Sequence, residues 1–104
     1  MKSEAFERLE PDHLAELAGV FGALAHPVRL RIVLGLAAGD CCVGSMVDCL
    51  DLPQALVSRH LAILRDAGIV SCEVEGRKRR YHIVHPAVPA LVNLITRTNL
   101  ENAS

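Results

Sequence analysis

One stretch, residues 52–70, constrains the fold more than any other part of the chain. It reads LPQALVSRHLAILRDAGIV. Proline is tolerated in the first turn of a helix and glycine at its left-handed end, so Pro53 and Gly68 predict the limits of a helix. Between them, three apolar residues follow the i, i+4, i+7 spacing of a buried ridge: Val57, Leu61 and Leu64. The stretch therefore predicts an amphipathic helix with one face in the core.

The opposite face of this helix carries an unusual set of side chains. At 100° per residue, Arg59 lies about 200° from Val57. Ser58 precedes it, and Ala55 and Ala62 lie within about 60° of it. A solvated face would favour Glu and Lys, whereas small residues beside hydrogen-bonding ones suit a helix that enters a narrow channel. Arg and Gln side chains hydrogen-bond base edges in the major groove of DNA. We therefore expect a recognition face that contains Gln54, Ala55, Ser58 and Arg59.

Two positions on this helix have alternative interpretations. Gln54 and Ser58 are also residue types that cap helices or face solvent. His60 lies nearer the buried ridge, so its ring could hydrogen-bond within the fold or reach a phosphate, and we include it among the candidate DNA contacts.

The residues before this stretch predict three further helices. The first covers residues 13–25, with Asp12 as its N-cap. His26-Pro27 ends it, and a largely apolar central helix follows over residues 27–38 until Gly39. A short third helix over residues 42–50 then leads through a tight connection into the recognition helix, which is the helix-turn-helix pattern.

The hydrophobic period changes from 3.6 to 2 after Gly68. Val70, Cys72 and Val74 alternate with polar residues and predict a strand with one apolar face. The sequence predicts a hairpin with its tip at residues 75–78 and a last helix from Pro89 to about Asn99. The expected fold class is mainly α with a β-hairpin wing, a winged helix-turn-helix of about five helices plus a two-stranded wing.

Length and composition limit the architecture to a single domain. The chain has 104 residues, of which 51% are apolar and only 3% aromatic, so we expect one aliphatic core over residues 1–104 with loosely ordered ends at 1–10 and 100–104. The apolar runs are shorter than the ~18 residues of a membrane span, and the charged N-terminus lacks the apolar centre of a signal peptide. The predicted location is the cytoplasm, without membrane contact.

The charge distribution indicates a polyanionic partner. The net charge is only −1. Acidic residues outnumber basic ones over residues 1–16, whereas basic residues outnumber acidic ones over residues 54–82. Four consecutive cations begin within the predicted hairpin tip and suit phosphate groups whatever the base sequence: Arg77, Lys78, Arg79 and Arg80. Double-stranded DNA is the expected partner.

Three segments together resemble the ArsR/SmtB-type winged-helix repressors of bacteria and archaea: LAHPVRLRIVLGL, LPQALVSRHLAILRDAGIV and GRKRRYHI. The resemblance covers about residues 21–85. It implies a homodimer through the first and last helices that binds a two-fold operator and leaves it when an effector binds. The apolar stripes of those two helices independently favour a dimer, because a 104-residue monomer does not easily bury them.

The cysteines leave the effector open. Arsenic- or cadmium-sensing members of the resembled family carry a CVC motif at the start of the third helix, and here only Cys42 matches it, with Gly44 and Val47 at the other ligand positions. Cys42 and Cys49 are about 10.5 Å apart along a helix and cannot share an ion unless its first turn unravels. Adjacent Cys41 and Cys42 could share one. The zinc- or nickel-type site of the last helix has no counterpart, since no His follows His85.

Several alternatives therefore stay open for the effector and for the function. Cys41, Cys42 and Cys49 are the candidate ligands of arsenite or a soft metal ion. A redox effector and no effector at all are the alternatives, and Cys49 and Cys72 also fit as small buried residues. Besides a DNA-binding repressor, the sequence allows a winged helix that binds only proteins. A thiol enzyme lacks a neighbouring base, so an enzyme is not expected.

Overall fold

The computed structural model describes residues 10–39 and 43–103, which form five helices and one antiparallel hairpin. The helices are α1 (Pro11–Leu24), α2 (Pro27–Ala38), α3 (Val43–Leu50), α4 (Gln54–Asp66) and α5 (Val88–Ala103). The strands are β1 (Val70–Glu75) and β2 (Lys78–Ile83). The predicted fold class, mainly α with a β-hairpin wing, is confirmed.

Helix α2 is central, as its apolar composition predicts. It packs against α1, α3, α4, α5 and β2, and Ile32 and Val33 are almost fully buried in it. His26 is its N-cap, with Nδ1 accepting a hydrogen bond from the Val28 N–H at 3.1 Å. Gly39 ends it in the left-handed region at φ +118°. The sequence predicts both ends correctly but not the capping role of His26.

Helix α1 begins two residues earlier than predicted, and the Asp12 cap is wrong. The N-cap is Glu10, whose side chain makes no capping hydrogen bond, and Pro11 opens the helix. Pro11 suits this place because its fixed φ is helical and its missing N–H would have no helical partner. Asp12 lies in the first turn, where a negative charge favours the helix dipole.

Helix α4 ends in a Schellman motif. Gly68 adopts φ +77°, and its N–H donates to the Arg65 carbonyl at 2.9 Å. The Ile69 N–H donates to the Leu64 carbonyl at 3.0 Å, and both of these side chains are fully buried. This pattern, in which the bond from Ile69 to Leu64 encloses the bond from Gly68 to Arg65, requires a left-handed residue, which explains the glycine.

The core is aliphatic, as predicted, apart from one tyrosine. Its buried members are Val20, Ala23, Leu24, Ile32, Val33, Met46, Val57, Leu61, Leu64, Ile69, Val70, Tyr81 and Val88. They come from all five helices, from both strands and from the turn after α4, so the wing base belongs to the same core as the helices.

The hairpin pairs Val70 with Ile83 at its base and Glu75 with Lys78 at its tip. The two-residue loop starts at Gly76, whose φ of +60° suits a hairpin turn. The predicted apolar face is wrong at one position: Val74 is 68% exposed. The core packs against the hairpin only as far as Cys72 and Tyr81. The alternation of apolar and polar residues continues beyond that point, to a position where no core covers the apolar side chain.

Within residues 10–39 and 43–103, none of the helices alone has the length and hydropathy to cross a bilayer; α1 and α2, joined at a 97° bend, meet those limits only when taken together.

Candidate nucleic-acid interface

The exposed face of α4 is the first candidate contact surface. The helix is fixed by a ridge of fully buried side chains: Val57, Leu61 and Leu64. On the other side, four of the predicted contact residues are exposed: Gln54, Ala55, Ser58 and Arg59. Among the described residues, no hydrogen bond or ion pair ties the side chains of Gln54, Ser58 or Arg59 to the rest of the chain. Their donors and acceptors are therefore available to a partner.

The turn between α3 and α4 gives the two helices their helix-turn-helix arrangement. Asp51 adopts a left-handed φ of +53°, a conformation that Asp tolerates better than most residues. Pro53, predicted to lie in the first helical turn, is instead the N-cap of α4, so the helix begins one residue later, at Gln54. The Pro53 carbonyl accepts from the Leu56 and Val57 N–H groups. Helices α3 and α4 pack directly against each other.

The wing is the second candidate contact surface. All four predicted cations are exposed: Arg77, Lys78, Arg79 and Arg80. Because paired residues of adjacent strands share a face, the register divides them between the two sides of the hairpin. Arg79 shares a face with Val74, whereas Lys78 and Arg80 share the other with two glutamates. Arg77 lies in the loop.

The glutamates form ion pairs with basic side chains of the opposite strand. Arg80 Nη1 lies 3.7 Å from Glu75 Oε2, and His82 Nε2 lies 3.7 Å from Glu73 Oε2. All four side chains are substantially exposed, so these pairs contribute little to stability. The sequence gives the net positive charge of this region but not the pairing, which depends on the strand register.

Helix α4 and the wing are joined through Ile69. Its N–H donates to the last turn of α4, and its carbonyl accepts from the N–H groups of Val84 at 2.9 Å and His85 at 3.4 Å, just beyond β2. Both candidate contact surfaces are thus attached to one fully buried residue.

His60 lies inside the fold. It is 7% exposed, and its Nδ1 lies 3.3 Å from Arg29 Nη1. Its ring centroid is 4.6 Å from that of His26. Burial lowers the pKa of His60, and electrostatic interactions with His26, Arg29 and Arg59 lower it further. Of the two sequence-based interpretations, the structure matches the hydrogen bond within the fold.

The candidate metal ligands are only partly placed. Cys41 and Cys42 lie outside the described residues. Cys49 is exposed on α3, so its interpretation as a buried residue is wrong; its carbonyl accepts from Arg31 Nη2 at 3.3 Å. Cys72 is half-buried on β1, opposite Tyr81. Within the described ranges, no three His, Cys, Asp or Glu side chains are arranged to hold a metal ion.

The sequence matches a family model and several relatives. Residues 26–71 match the model described as "Bacterial regulatory protein, arsR family". The chain is 42% identical over 89 residues to the HTH-type transcriptional repressor SmtB of Mycobacterium tuberculosis, an alignment covering 80% of this chain and 66% of SmtB. It is 40% identical over 79 residues to the HTH-type transcriptional regulator MJ1325 of Methanocaldococcus jannaschii, with 75% and 89% coverage. The arsenic resistance transcriptional regulator ArsR1 of Pseudomonas putida is 39% identical over 79 residues, with 75% and 61% coverage.

Solved structures share the fold. HlyU from Vibrio cholerae superposes with a TM-score of 0.80 and 30% identity, covering 86% of this chain and 97% of HlyU. The homodimeric winged helix-turn-helix DNA-binding domain Mb0332 from Mycobacterium bovis gives a TM-score of 0.76 and 29% identity, with 86% and 83% coverage. The chain spans 66% of the length of the SmtB repressor that it matches. From the family model, the relatives and the fold together, the chain belongs to the ArsR family of helix-turn-helix transcriptional regulators.

Proposed function

We propose that this chain acts as a homodimeric, sequence-specific DNA-binding repressor. The observation that carries the proposal is the exposed polar face of α4, held on a buried ridge. Arg and Gln side chains read guanine and adenine edges in the major groove, and an exposed Ala leaves room for close approach. The proposed groove contacts are Gln54, Ala55, Ser58 and Arg59. His60 is buried and is not proposed to contact DNA directly.

The wing supplies contacts of the second kind. Arg77, Lys78, Arg79 and Arg80 are proposed to bind phosphates, which adds affinity and fixes the orientation of the protein without reading sequence. The wing is attached to α4 through Ile69. A phosphate contact made by the wing would therefore also constrain how deeply α4 enters the groove.

A second copy of the chain is the proposed occupant of the exposed apolar surface on α1 and α5. Leu14 and Phe21 on α1 are 45% and 56% exposed, and Leu94 and Ile95 on α5 are 64% and 43% exposed. Exposed apolar side chains of this number are costly for a small domain and favour association. The homodimeric state named for Mb0332 supports the proposal of a dimer.

The proposed effector is thiol-reactive. Cys41 and Cys42 are adjacent, and thiolates prefer arsenite and soft metal ions. The name of ArsR1 associates that relative with arsenic resistance. Cys49 belongs to the candidate set but is separated from Cys42 by nearly two turns, about 10.5 Å along a helix, so a shared ion would require the start of α3 to unwind. A redox effector at Cys41 and Cys42, or regulation without any effector, are the alternatives.

Fluorescence anisotropy with a labelled duplex from the promoter region of the gene itself tests the DNA-binding role. We expect the affinity to fall steeply with salt and the Arg59→Ala variant to bind about 5- to 150-fold more weakly, the equivalent of ~1–3 kcal/mol for a base contact. Arg97→Ala, which removes the same charge from α5, is the matched control and should bind like the wild type. If the wild type, Arg59→Ala and Arg97→Ala all showed the same DNA affinity and none of them depended on salt, the DNA-binding role would be contradicted. That result would favour the alternative, a winged helix that binds only proteins.

A further inference from the structure

His60 is the one buried polar side chain among the described residues, and it lies on the helix proposed to read DNA. It directly follows Arg59 in the sequence, yet its ring faces the core while Arg59 faces solvent. Burying a polar ring is unfavourable unless it is hydrogen-bonded, so the partner of His60 indicates what the residue does.

That partner is Arg29 in the first turn of α2. A guanidinium only donates, so the 3.3 Å contact between Arg29 Nη1 and His60 Nδ1 requires a lone pair on Nδ1. The ring is then neutral, with its hydrogen on Nε2. The lowered pKa of His60, due first to burial, agrees with a neutral ring at pH 7.

Arg29 is itself held in place. Its Nε donates to the Ala23 carbonyl near the end of α1. His26, which packs its ring against His60, is the N-cap of α2. The Arg29–His60 contact therefore connects three elements: the end of α1, the start of α2 and the middle of α4.

We propose that His60 is a positioning residue for DNA readout: its hydrogen bond with Arg29 fixes the rotation of α4 about its own axis, and with it the direction in which Ser58 and Arg59 project. The apolar ridge determines which side of α4 is buried, and the hydrogen bond, which has a preferred angle, adds a directional restraint on the rotation that apolar contacts lack. A rotation of about 20° moves an atom ~6 Å from the helix axis by about 2 Å. Such a shift breaks a bidentate contact to a base edge.

The inference rests on the proposed DNA-binding function and makes a distinct prediction within it. The proposed phosphate contacts come from the hairpin loop and β2, outside α4, so they do not require Ser58 and Arg59 to project in one direction. Loss of the His60 contact should therefore reduce the affinity for the specific site while leaving the affinity for unrelated DNA unchanged.

Two variants of similar shape separate the hydrogen bond from the volume of the side chain. His60→Asn places a carbonyl oxygen near the position of Nδ1 and retains an acceptor for Arg29. His60→Leu fills similar space without an acceptor. Each is measured by anisotropy against the promoter duplex and against a shuffled duplex of equal length at one salt concentration, with a thermal melt of each protein.

We expect His60→Leu to lose about tenfold in the ratio of promoter to shuffled affinity, as for one hydrogen bond to a charged donor, and His60→Asn to stay close to the wild type. Arg29→Met, which removes the donor from the other side, should reproduce the loss and replaces His60→Leu should that variant not fold. An unchanged ratio in both His60→Leu and Arg29→Met would overturn the inference. So would an equal loss of affinity for both duplexes, or a His60→Asn variant as defective as His60→Leu.

The wild-type measurement distinguishes failure of the proposed DNA-binding function from failure of the inference about His60. A wild-type protein that binds both duplexes alike contradicts the proposed sequence-specific function and the inference with it. A wild-type protein that discriminates, together with variants that discriminate equally well, contradicts the inference alone.

Discussion

The main-chain N–H of Ile69 donates to the carbonyl of Leu64 across the left-handed Gly68, so α4 ends and the wing begins within a single turn. Both side chains are fully buried. The Ile69 carbonyl also accepts hydrogen bonds from Val84 and His85, which directly follow β2 at the base of the hairpin. The same few residues therefore fix the last turn of α4 and the base of the wing.

Replacement of Gly68 tests this junction. Nothing lies within 4 Å of a Cβ at this position, so the effect of Gly68→Ala comes from the positive φ alone. We expect a loss of about 1 kcal/mol in the free energy of unfolding, measured by urea denaturation. Gly19→Ala, also without close neighbours but inside α1, should instead stabilise the protein by up to about 1 kcal/mol. Equal effects of the two substitutions would contradict the role of the left-handed turn.

Replacement of Arg77 tests the wing. This side chain lies in the hairpin loop and is exposed. Arg77→Ala should weaken binding to all DNA sequences alike and lower the slope of log affinity against log salt by about one for each phosphate contact removed. The measurement is a salt titration on both the promoter and the shuffled duplex. A loss confined to the promoter duplex would assign Arg77 to base readout instead.

The proposed dimer predicts the effect of a charge on α1 or α5. Phe21→Asp and Leu94→Asp should each shift the protein toward a monomer in analytical ultracentrifugation, because a buried charge without a partner is strongly unfavourable at an apolar interface. Val74→Asp alters a side chain that is 68% exposed on the wing and should leave the assembly unchanged. Dimers that persist in both helix variants would place the interface elsewhere.

The environment of His60 predicts a loss of stability in acid. A histidine in the unfolded chain titrates near pH 6.5, and burial lowers the pKa of His60 below that value in the folded chain. Below about pH 6.5 the unfolded state therefore binds more protons, which favours unfolding. This contribution is fully present above pH 6.5 and is lost as the pH falls toward the folded pKa. Urea denaturation between about pH 5 and 8 should show a smaller decline for His60→Asn than for the wild type; identical declines would contradict the assignment.

The cysteines predict which variant fails to respond to an effector. Arsenite, cadmium, zinc and an oxidant are titrated against the preformed DNA complex. We expect at least one to release the DNA, and the Cys41→Ser/Cys42→Ser double variant to remain bound, because it lacks the adjacent thiols. Cys72→Ser, which changes a half-buried residue of β1, is the control and should respond like the wild type. Normal release from the double variant would exclude Cys41 and Cys42 as the sensor.

Local signals explain which features the sequence predicts well. His26-Pro27 and Gly39 limit α2 through backbone preferences that act within a few residues, and the period of Val57, Leu61 and Leu64 fixes the buried side of α4. The Asp12 cap is wrong because Pro11 competes for the helix start one residue earlier. The N-cap preference of Asp12 and the first-turn preference of Pro11 both act locally, and hydrophobic periodicity does not show which of the two sets the start of the helix.

Features that depend on distant contacts are not accessible in the same way. Arg29 and His60 are 31 positions apart, so nothing in the sequence pairs them. Alternation identifies the apolar side of the hairpin but not the point at which the core ends, which leaves Val74 exposed. The ion pairs of Glu73 and Glu75 likewise follow from strand register rather than from composition.

Those two glutamates have a consequence for how tightly the wing could hold a duplex. Arg80 and His82 already face a carboxylate before any DNA arrives, so a phosphate that approaches them exchanges one anion for another. The net gain per contact is smaller than for an unpaired cation, so in the proposed complex the wing would hold DNA only moderately and would let it dissociate quickly. Rapid departure is the property that the proposed release of DNA by an effector requires.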